Sequence, residues 1–370
     1  MRFTILREAF LKPLRAVAGV VERRQVQTSP ILSNVLITIL DETHFSLTAT
    51  DQEVELIAQG EFEEPATPGA ITVPFRKLMD VCRALPEGIP LTLVAEQERA
   101  IIRAGRSRFT LSLLPAAEFP NIELSAEEFQ FSIPKRTFNA LVESTGFAMA
   151  EEDVRYYLNG MLIEIKKDHL YAVAADGHRL AQNSIPINVD DQRSFRVIVP
   201  RKGVLELQRV LGEGDEEIQI IISANHIRAT TPYLSLTSKL LDGRFPDYDR
   251  IIPKGEGKVL VGRRSVLKEA FLRAAALFSE KLRGVQLLLS QNSLKILAIT
   301  PEQDEVEEDL EVQYEGPEFE IGFNVKYLID FLNIIPTEEV KFTFKDENSS
   351  ARVEGVGGDG AVYVIMPMRI

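Results

Sequence analysis

One ordered set of landmarks recurs three times along the 370 residues, so the chain must be built from copies of one unit. ILSNVLITIL (31–40), YLNGMLIEIK (157–166) and LRGVQLLLSQ (282–291) are related strand-like runs. With Asn34–Val35, Gly160–Met161 and Gly284–Val285 as landmarks, the spacings are near 125 residues. ITVPFRKLMDVCRALPEG (71–88) is answered by VIVPRKGVLELQRVLGEG (197–214), with Pro74 and Pro200 126 residues apart. A third copy, IGFNVKYLIDFLNIIPTE (321–338), has Asn324 at the proline position. SLLPAAEFPNIEL (112–124) answers SKLLDGRFPDYDRII (238–252), setting Phe119-Pro120 against Phe245-Pro246. The expected domains are 1–125, 126–253 and 254–370.

Each unit also halves. FTIL leads into an amphipathic stretch from Leu6 to Val17 and then short alternating strands; Ile71–Val73 leads into a second one from Phe75 to Ala84 and more strands. The hydrophobic period changes from 2 to 3.6 and back. The chain reads as six β-α-β-β-β units, an α+β fold with antiparallel sheets. Helices are expected over 7–19, 75–84, 134–146, 200–211, 263–277 and 324–335.

The net charge of −13 argues against a protein that simply coats nucleic acid, where Lys and Arg displace counterions. Its distribution says otherwise. The six expected helices carry a net +10, leaving −23 on everything else. Glu is as good a helix former as Lys or Arg, so propensity gives no reason for this bias. A basic helical surface facing a polyanion, with an acidic exterior turned to solvent, accounts for both signs. No base-reading motif is present, so contacts would be to phosphates, without sequence preference.

Chemistry is harder to find. GVGGDG (355–360) has the G-x-G-x-x-G spacing, but AVYVIMPMRI after it reads as a strand, so a hairpin turn is expected rather than a phosphate loop. Asp176 and His178 have no accompanying nucleophile motif, and the four histidines are not paired at metal spacing. The chain is therefore expected to be non-catalytic, without cofactor or metal. One cysteine, Cys82, excludes an internal disulfide. No apolar run is long enough to cross a membrane, MRFTILREAFLKPL is too charged for a secretory signal, and the cytoplasm is the expected location. The terminal stretch Ala361 to Ile370 is almost wholly apolar, with Met366 and Met368 around Pro367, and flexible methionines suit a groove that accepts several peptides.

VRYYLNGM (154–161), DGHRLA (176–181), VPRKGV (199–204), DGRFPDY (242–248), IGFNV (321–325) and VIMPMRI (364–370) resemble the bacterial β sliding clamps of DNA polymerase III, from the first residue to the last. The resemblance implies three similar domains per chain and a ring-shaped head-to-tail homodimer, with helices lining the hole and sheets outside. It implies a processivity factor for DNA replication that encircles double-stranded DNA. Its partners would be the polymerase III alpha subunit, the clamp loader, and other polymerases and repair proteins, each bound through a short Leu- or Phe-bearing peptide.

Transferred by motif, the peptide-binding residues are Tyr157, Leu158, Gly177, His178, Arg179, Leu180, Pro246, Arg250, Ile251, Asn324, Tyr327, Ser350, Val364, Ile365, Met366, Pro367, Met368 and Arg369. For DNA the candidates are Arg24, Arg76, Lys77, Arg136, Arg155, Tyr156, Arg201 and Lys202. One dimer edge would carry Arg103, Arg106, Arg108, Phe109 and Leu111. The other would carry Ala276, Leu277, Glu302, Asp304, Glu305, Glu307 and Glu308. Ala175 departs from the family's threonine, and Glu151-Glu152 make the loop before DVRYY unusually acidic.

Overall fold

Short alternating runs broken by single amphipathic stretches give, among the described residues, six successive groups of strand, helix and three strands. The computed structural model describes residues 1–22, 29–123, 127–188, 194–212, 214–278, 284–300, 303–358 and 360–370. The helices are α1 (Arg7–Ala16), α2 (Phe75–Ala84), α3 (Lys135–Gly146), α4 (Arg201–Leu211), a single turn α5 (Tyr248–Ile251), α6 (Arg264–Ala275) and α7 (Val325–Ile334). The first helix is shorter than expected: Pro13 is absorbed in its second turn, and Val17–Gly19 tightens into 3₁₀ geometry. The chain folds as two compact units, 1–136 with 205–240, and 137–204 with 241–370.

In the first unit the strand Arg2–Leu6 does not stay with the three strands that follow its helix. It pairs instead with Pro90–Glu96, which continues to Arg99–Ala104 and Ser107–Ser112. In exchange, Gly69–Pro74 pairs with Asn34–Ile39, followed by His44–Thr50 and Val54–Glu61. The leading strands thus cross over, tying the two halves into one core. Apolar stripes on α1 (Phe10, Leu11, Leu14) and α2 (Phe75, Leu78, Met79, Cys82) are buried, while Arg76, Lys77 and Arg83 remain exposed. Rings of Phe3, Phe10, Phe45 and Phe62 pack within 6 Å of one another in sequence. Val54–Glu61 also pairs with Leu234–Lys239, extending the sheet to eight strands.

The second unit repeats this scheme. Lys258–Arg263 pairs with Glu339–Phe344, and Phe319–Asn324 pairs with Gly284–Ser290. Arg179–Pro186 joins the final strand Val362–Ile365, completing a nine-stranded sheet. GVGGDG connects two antiparallel strands of that sheet, Ala351–Gly355 and Val362–Ile365, so it is a hairpin connection as its sequence implied.

The register accounts for the repeat. Asn34 lies opposite Pro74, Gly160 opposite Pro200, and Gly284 opposite Asn324. Two landmark series, each found separately in the sequence, are direct cross-strand partners. At the third position Asn324 does what proline cannot: its side chain accepts a hydrogen bond from the Lys326 amide and caps α7. Gly160 is needed because a Cβ there would lie 2.5 Å from the Val199 carbonyl oxygen.

Some of the basic excess serves the fold. Arg7 at the start of α1 donates to the Cys82 carbonyl near the end of α2, and Arg264 at the start of α6 donates to the Leu332 carbonyl at the end of α7. Arg209 likewise donates to the Ala16 carbonyl at the end of α1. These guanidiniums satisfy carbonyls that a helix leaves unpaired and oppose the dipole at its C-terminus. The six longer helices still carry +9 within a chain total of −13. Cys82 is fully buried, and burial pushes its thiol up to about 12.

Candidate functional site

The final strand and the turn before Arg179 meet in the second unit, beside a depression lined by Phe147, Met149, Asp176, His178, Arg179 and Tyr327. Arg179 faces Ile365 and Leu180 faces Val364 in the ladder, and the Met366 amide donates to the His178 carbonyl at 2.8 Å. Leu158, Leu162, Val173, Ala175, Leu180, Phe245, Tyr248 and Val364 form one buried cluster, with Tyr157 packed against it. Ala175 is 7% exposed within that cluster. Beyond the cluster the tail runs outward: Met366 is 47% exposed, and the Met368 amide donates to the Gly322 carbonyl. A buried floor beside an exposed methionine is suited to an incoming apolar side chain.

The rim is polar and tightly held. Asp176 accepts from the backbone amides of His178 and Arg179, and Gly177 between them has φ of +90°, which favours glycine. The His178 ring stacks on Tyr327 at 6.4 Å. Burial, followed by the nearby Asp176 carboxylate, raises the Tyr327 hydroxyl above the usual phenol range. Arg179 turns inward: it pairs with Asp176 and Asp330, donates to the Phe147 carbonyl, and lies 4.5 Å over the Tyr327 ring. Its guanidinium therefore braces the rim, each of its three nitrogens donating within the chain. Arg250 is the opposite case, a largely exposed side chain paired with Asp247. Asn324, Ser350 and Pro246 are half-buried, and Ile251 and Arg369 are exposed.

Each unit also ends a sheet on an open edge. Ser107–Ser112 is the edge strand of the four-stranded sheet in the first unit. Arg103, Arg106 and Arg108 are exposed there, Phe109 is half-buried and Leu111 is 8% exposed. Arg103 and Arg108 are direct cross-strand partners, a repulsive pairing unless an anion covers them. Glu305–Glu311 is the edge strand of the four-stranded sheet in the second unit. Asp304, Glu305 and Glu307 are exposed, and Ala276 and Leu277 are exposed just beyond α6. Two of these acids have partners in their own chain: Glu308 takes a bidentate pair from Arg273 at 2.7 Å, and Glu307 pairs with Lys295.

Family models for the DNA polymerase III beta subunit match residues 1–123 (N-terminal domain), 132–247 (central domain) and 249–369 (C-terminal domain). The chain belongs to the DNA polymerase III beta subunit family. It is 52% identical to the beta sliding clamp of Pseudomonas aeruginosa and 50% identical to that of Escherichia coli, over the whole of each chain. The crystal structure of the Pseudomonas aeruginosa DNA polymerase III subunit beta superposes with a TM-score of 0.97 at 52% identity, covering all of both chains. A Caulobacter crescentus polymerase III beta structure, at 36% identity, also covers both chains in full with a TM-score of 0.94. The fold is thus three clamp domains of mixed α+β structure with antiparallel sheets.

The candidate DNA positions, some taken from the basic bias of the helices and some from family resemblance, are not equivalent in the structure. Arg76, Lys77 and Lys202 are exposed on their helices. Arg136 is exposed and paired with Asp215, and Arg201 is paired with Glu151. The acidic loop before DVRYY is thus partly neutralised by a helix of the same unit. Arg155 is held by both carboxylate oxygens of Asp153, whose carboxyl these bonds keep at about 2, and Tyr156 is half exposed. Arg24 and Glu302 lie outside the described residues. Sequence reasoning missed Asp330 and Phe147, which brace Arg179, and Phe245 and Tyr248, which belong to the buried cluster. The Phe-Pro repeat pointed at Phe245 as a landmark, without giving it a role in the site.

Proposed function

We propose that two copies of this chain close head-to-tail into a ring around duplex DNA, where the chain acts as a sliding clamp. It is a non-catalytic processivity subunit of DNA polymerase III. The observation that carries the ring is the pair of open sheet edges of opposite charge, one with stacked arginines and the other with glutamates. A heterologous pairing of these two different edges closes a twofold ring and covers both of them. The domains are read as 1–125, 126–253 and 254–370.

Inside the ring, Arg76, Lys77, Arg136, Arg155, Tyr156, Arg201 and Lys202, with Arg24, would meet phosphates. Several of these charges are shared with Asp215, Glu151 or Asp153, which keeps each contact weak and permits sliding. The apolar cleft takes short Leu- or Phe-bearing peptides from the polymerase alpha subunit, the clamp loader, and other polymerases and repair proteins. Holding a polymerase there raises its effective concentration at the primer end.

The DNA surface is tested by replacing Arg76, Lys77, Arg136 and Lys202 together with alanine and titrating a fluorescent duplex across salt concentrations. With two copies per ring, the slope of log affinity against log salt should become shallower by up to roughly seven. An unchanged slope would remove these residues from the DNA surface.

A further inference from the structure

The wall of the peptide cleft formed by residues 246–251 is a loop with one helical turn, and its register has to be set by something outside it. Tyr248 is 2% exposed; its ring belongs to the apolar cluster while its hydroxyl points away from it. That hydroxyl donates to Glu164 Oε2 at 2.7 Å and accepts from Lys166 Nζ at 3.0 Å. Lys166 also pairs with Glu164 and with Asp249, each at 3.2 Å, and lies 4.9 Å from the centre of the Tyr248 ring. Arg196 donates to the Pro246 carbonyl at 3.2 Å, and its guanidinium lies 5.9 Å from the Tyr248 ring centre. Glu164 is directly across from Tyr171 on one neighbouring strand and from Arg196 on the other. Groups from two adjacent strands therefore converge on one turn.

We propose that Glu164, Lys166 and Arg196 form a latch that positions the 246–251 wall for peptide binding, acting through Tyr248. This rests on the reading of the cleft as a peptide site. Glu164 is 5% exposed, and a buried carboxylate is costly unless it is paired and hydrogen-bonded. Well-packed apolar residues would serve stability at least as well, whereas a directional ionic set specifies one position of the loop. Burial works against the charge of Lys166, yet the Tyr248 hydroxyl and the Glu164 carboxylate hold its ammonium above the usual lysine range. It bears on the cleft because Tyr248 shares its ring with the floor, and Arg250 and Ile251 follow it on the same turn.

The test uses the full-length protein and a fluorescent peptide carrying a Leu-Phe pair. Tyr248→Phe removes one oxygen and keeps the ring; Glu164→Gln keeps the shape and removes the charge. Each should weaken peptide binding roughly threefold to tenfold, and the double variant should lose little more than either alone. Amides of 245–252 should exchange faster with solvent in Tyr248→Phe. Tyr314→Phe is the matched control, because Tyr314 is equally buried and its hydroxyl donates to the Pro317 carbonyl at 2.7 Å. It should leave peptide affinity unchanged at a comparable cost in melting temperature. Wild-type affinity in Tyr248→Phe, or an equal loss in Tyr314→Phe, overturns the latch while leaving the peptide site standing. Failure of the unaltered protein to bind the peptide overturns both.

Discussion

Deleting residues 366–370 should abolish capture of Leu- and Phe-bearing peptides while the protein remains folded and dimeric. The tail leaves the last strand at Ile365 and makes two backbone hydrogen bonds among the described residues, Met366 to His178 and Met368 to Gly322. Removing it leaves the sheet ladder between Arg179–Gln182 and Val362–Ile365 in place. It does remove Met366 and Met368, the flexible apolar side chains at the mouth of the cleft, and with them one whole wall. An anchor that loses a wall of its pocket loses most of its binding energy, so affinity should fall by about 100-fold or more. Fluorescence anisotropy with a labelled peptide measures this, with sedimentation velocity as the check on assembly. Affinity within threefold of the intact chain would mean that peptides bind elsewhere.

Reversing charge on one edge should split the dimer, and mixing two reversed variants should rebuild it. Glu305→Lys with Glu307→Lys sets cations against the partner's arginine edge. Arg103→Glu with Arg108→Glu sets acids against its glutamate edge. Close interfacial charge pairs are coupled by about 1.5–7 kcal/mol, so each variant alone should dissociate at least about 100-fold more readily. In a head-to-tail dimer of the two variants, one interface is wild type and the other has both signs exchanged. Both are complementary, so the mixture should form an obligate heterodimer at concentrations where each variant alone is monomeric. Glu307 also pairs with Lys295 in its own chain, so part of its reversal is repulsion within the strand pair. That contribution would persist in the mixture and leave the heterodimer slightly weaker than wild type. Monomers in the mixture, seen by mass photometry, would contradict the assignment of the edges.

The repeat was legible because its landmarks are structural partners: Asn34 with Pro74, Gly160 with Pro200, and Gly284 with Asn324. A strand start and the strand-to-helix junction facing it are constrained together, so both recur at one spacing. Period changes gave the order of strands and helices for the same local reason. The exchange of leading strands between halves left no such mark, because the pairing of Arg2–Leu6 with Pro90–Glu96 depends on contacts more than eighty residues apart. The basic bias of the helices was visible, but its division between fold and surface was not. Arg7, Arg209 and Arg264 cap helices far away in sequence, and only coordinates separate them from Arg76, Lys77 or Lys202. For the proposed peptide site, motif resemblance supplied the candidate lining residues, while Asp330 and Glu164, which bond to Arg179 and Tyr248, carry no motif of their own. Their effect is conveyed through Arg179 and Tyr248, across 151 and 84 residues of chain.

The central claim is that the protein holds DNA by enclosing it, and the lifetime on DNA before and after the DNA is cut tests this most directly. Protein is isolated bound to a nicked circular plasmid, and a restriction enzyme then cuts half of the sample once. Enclosure predicts long residence on the circle and rapid loss from the linear form, with release blocked when both ends carry bulky protein caps. Equal lifetimes on circular and linear DNA would show that the protein is held by surface contacts alone, and the ring account would be wrong.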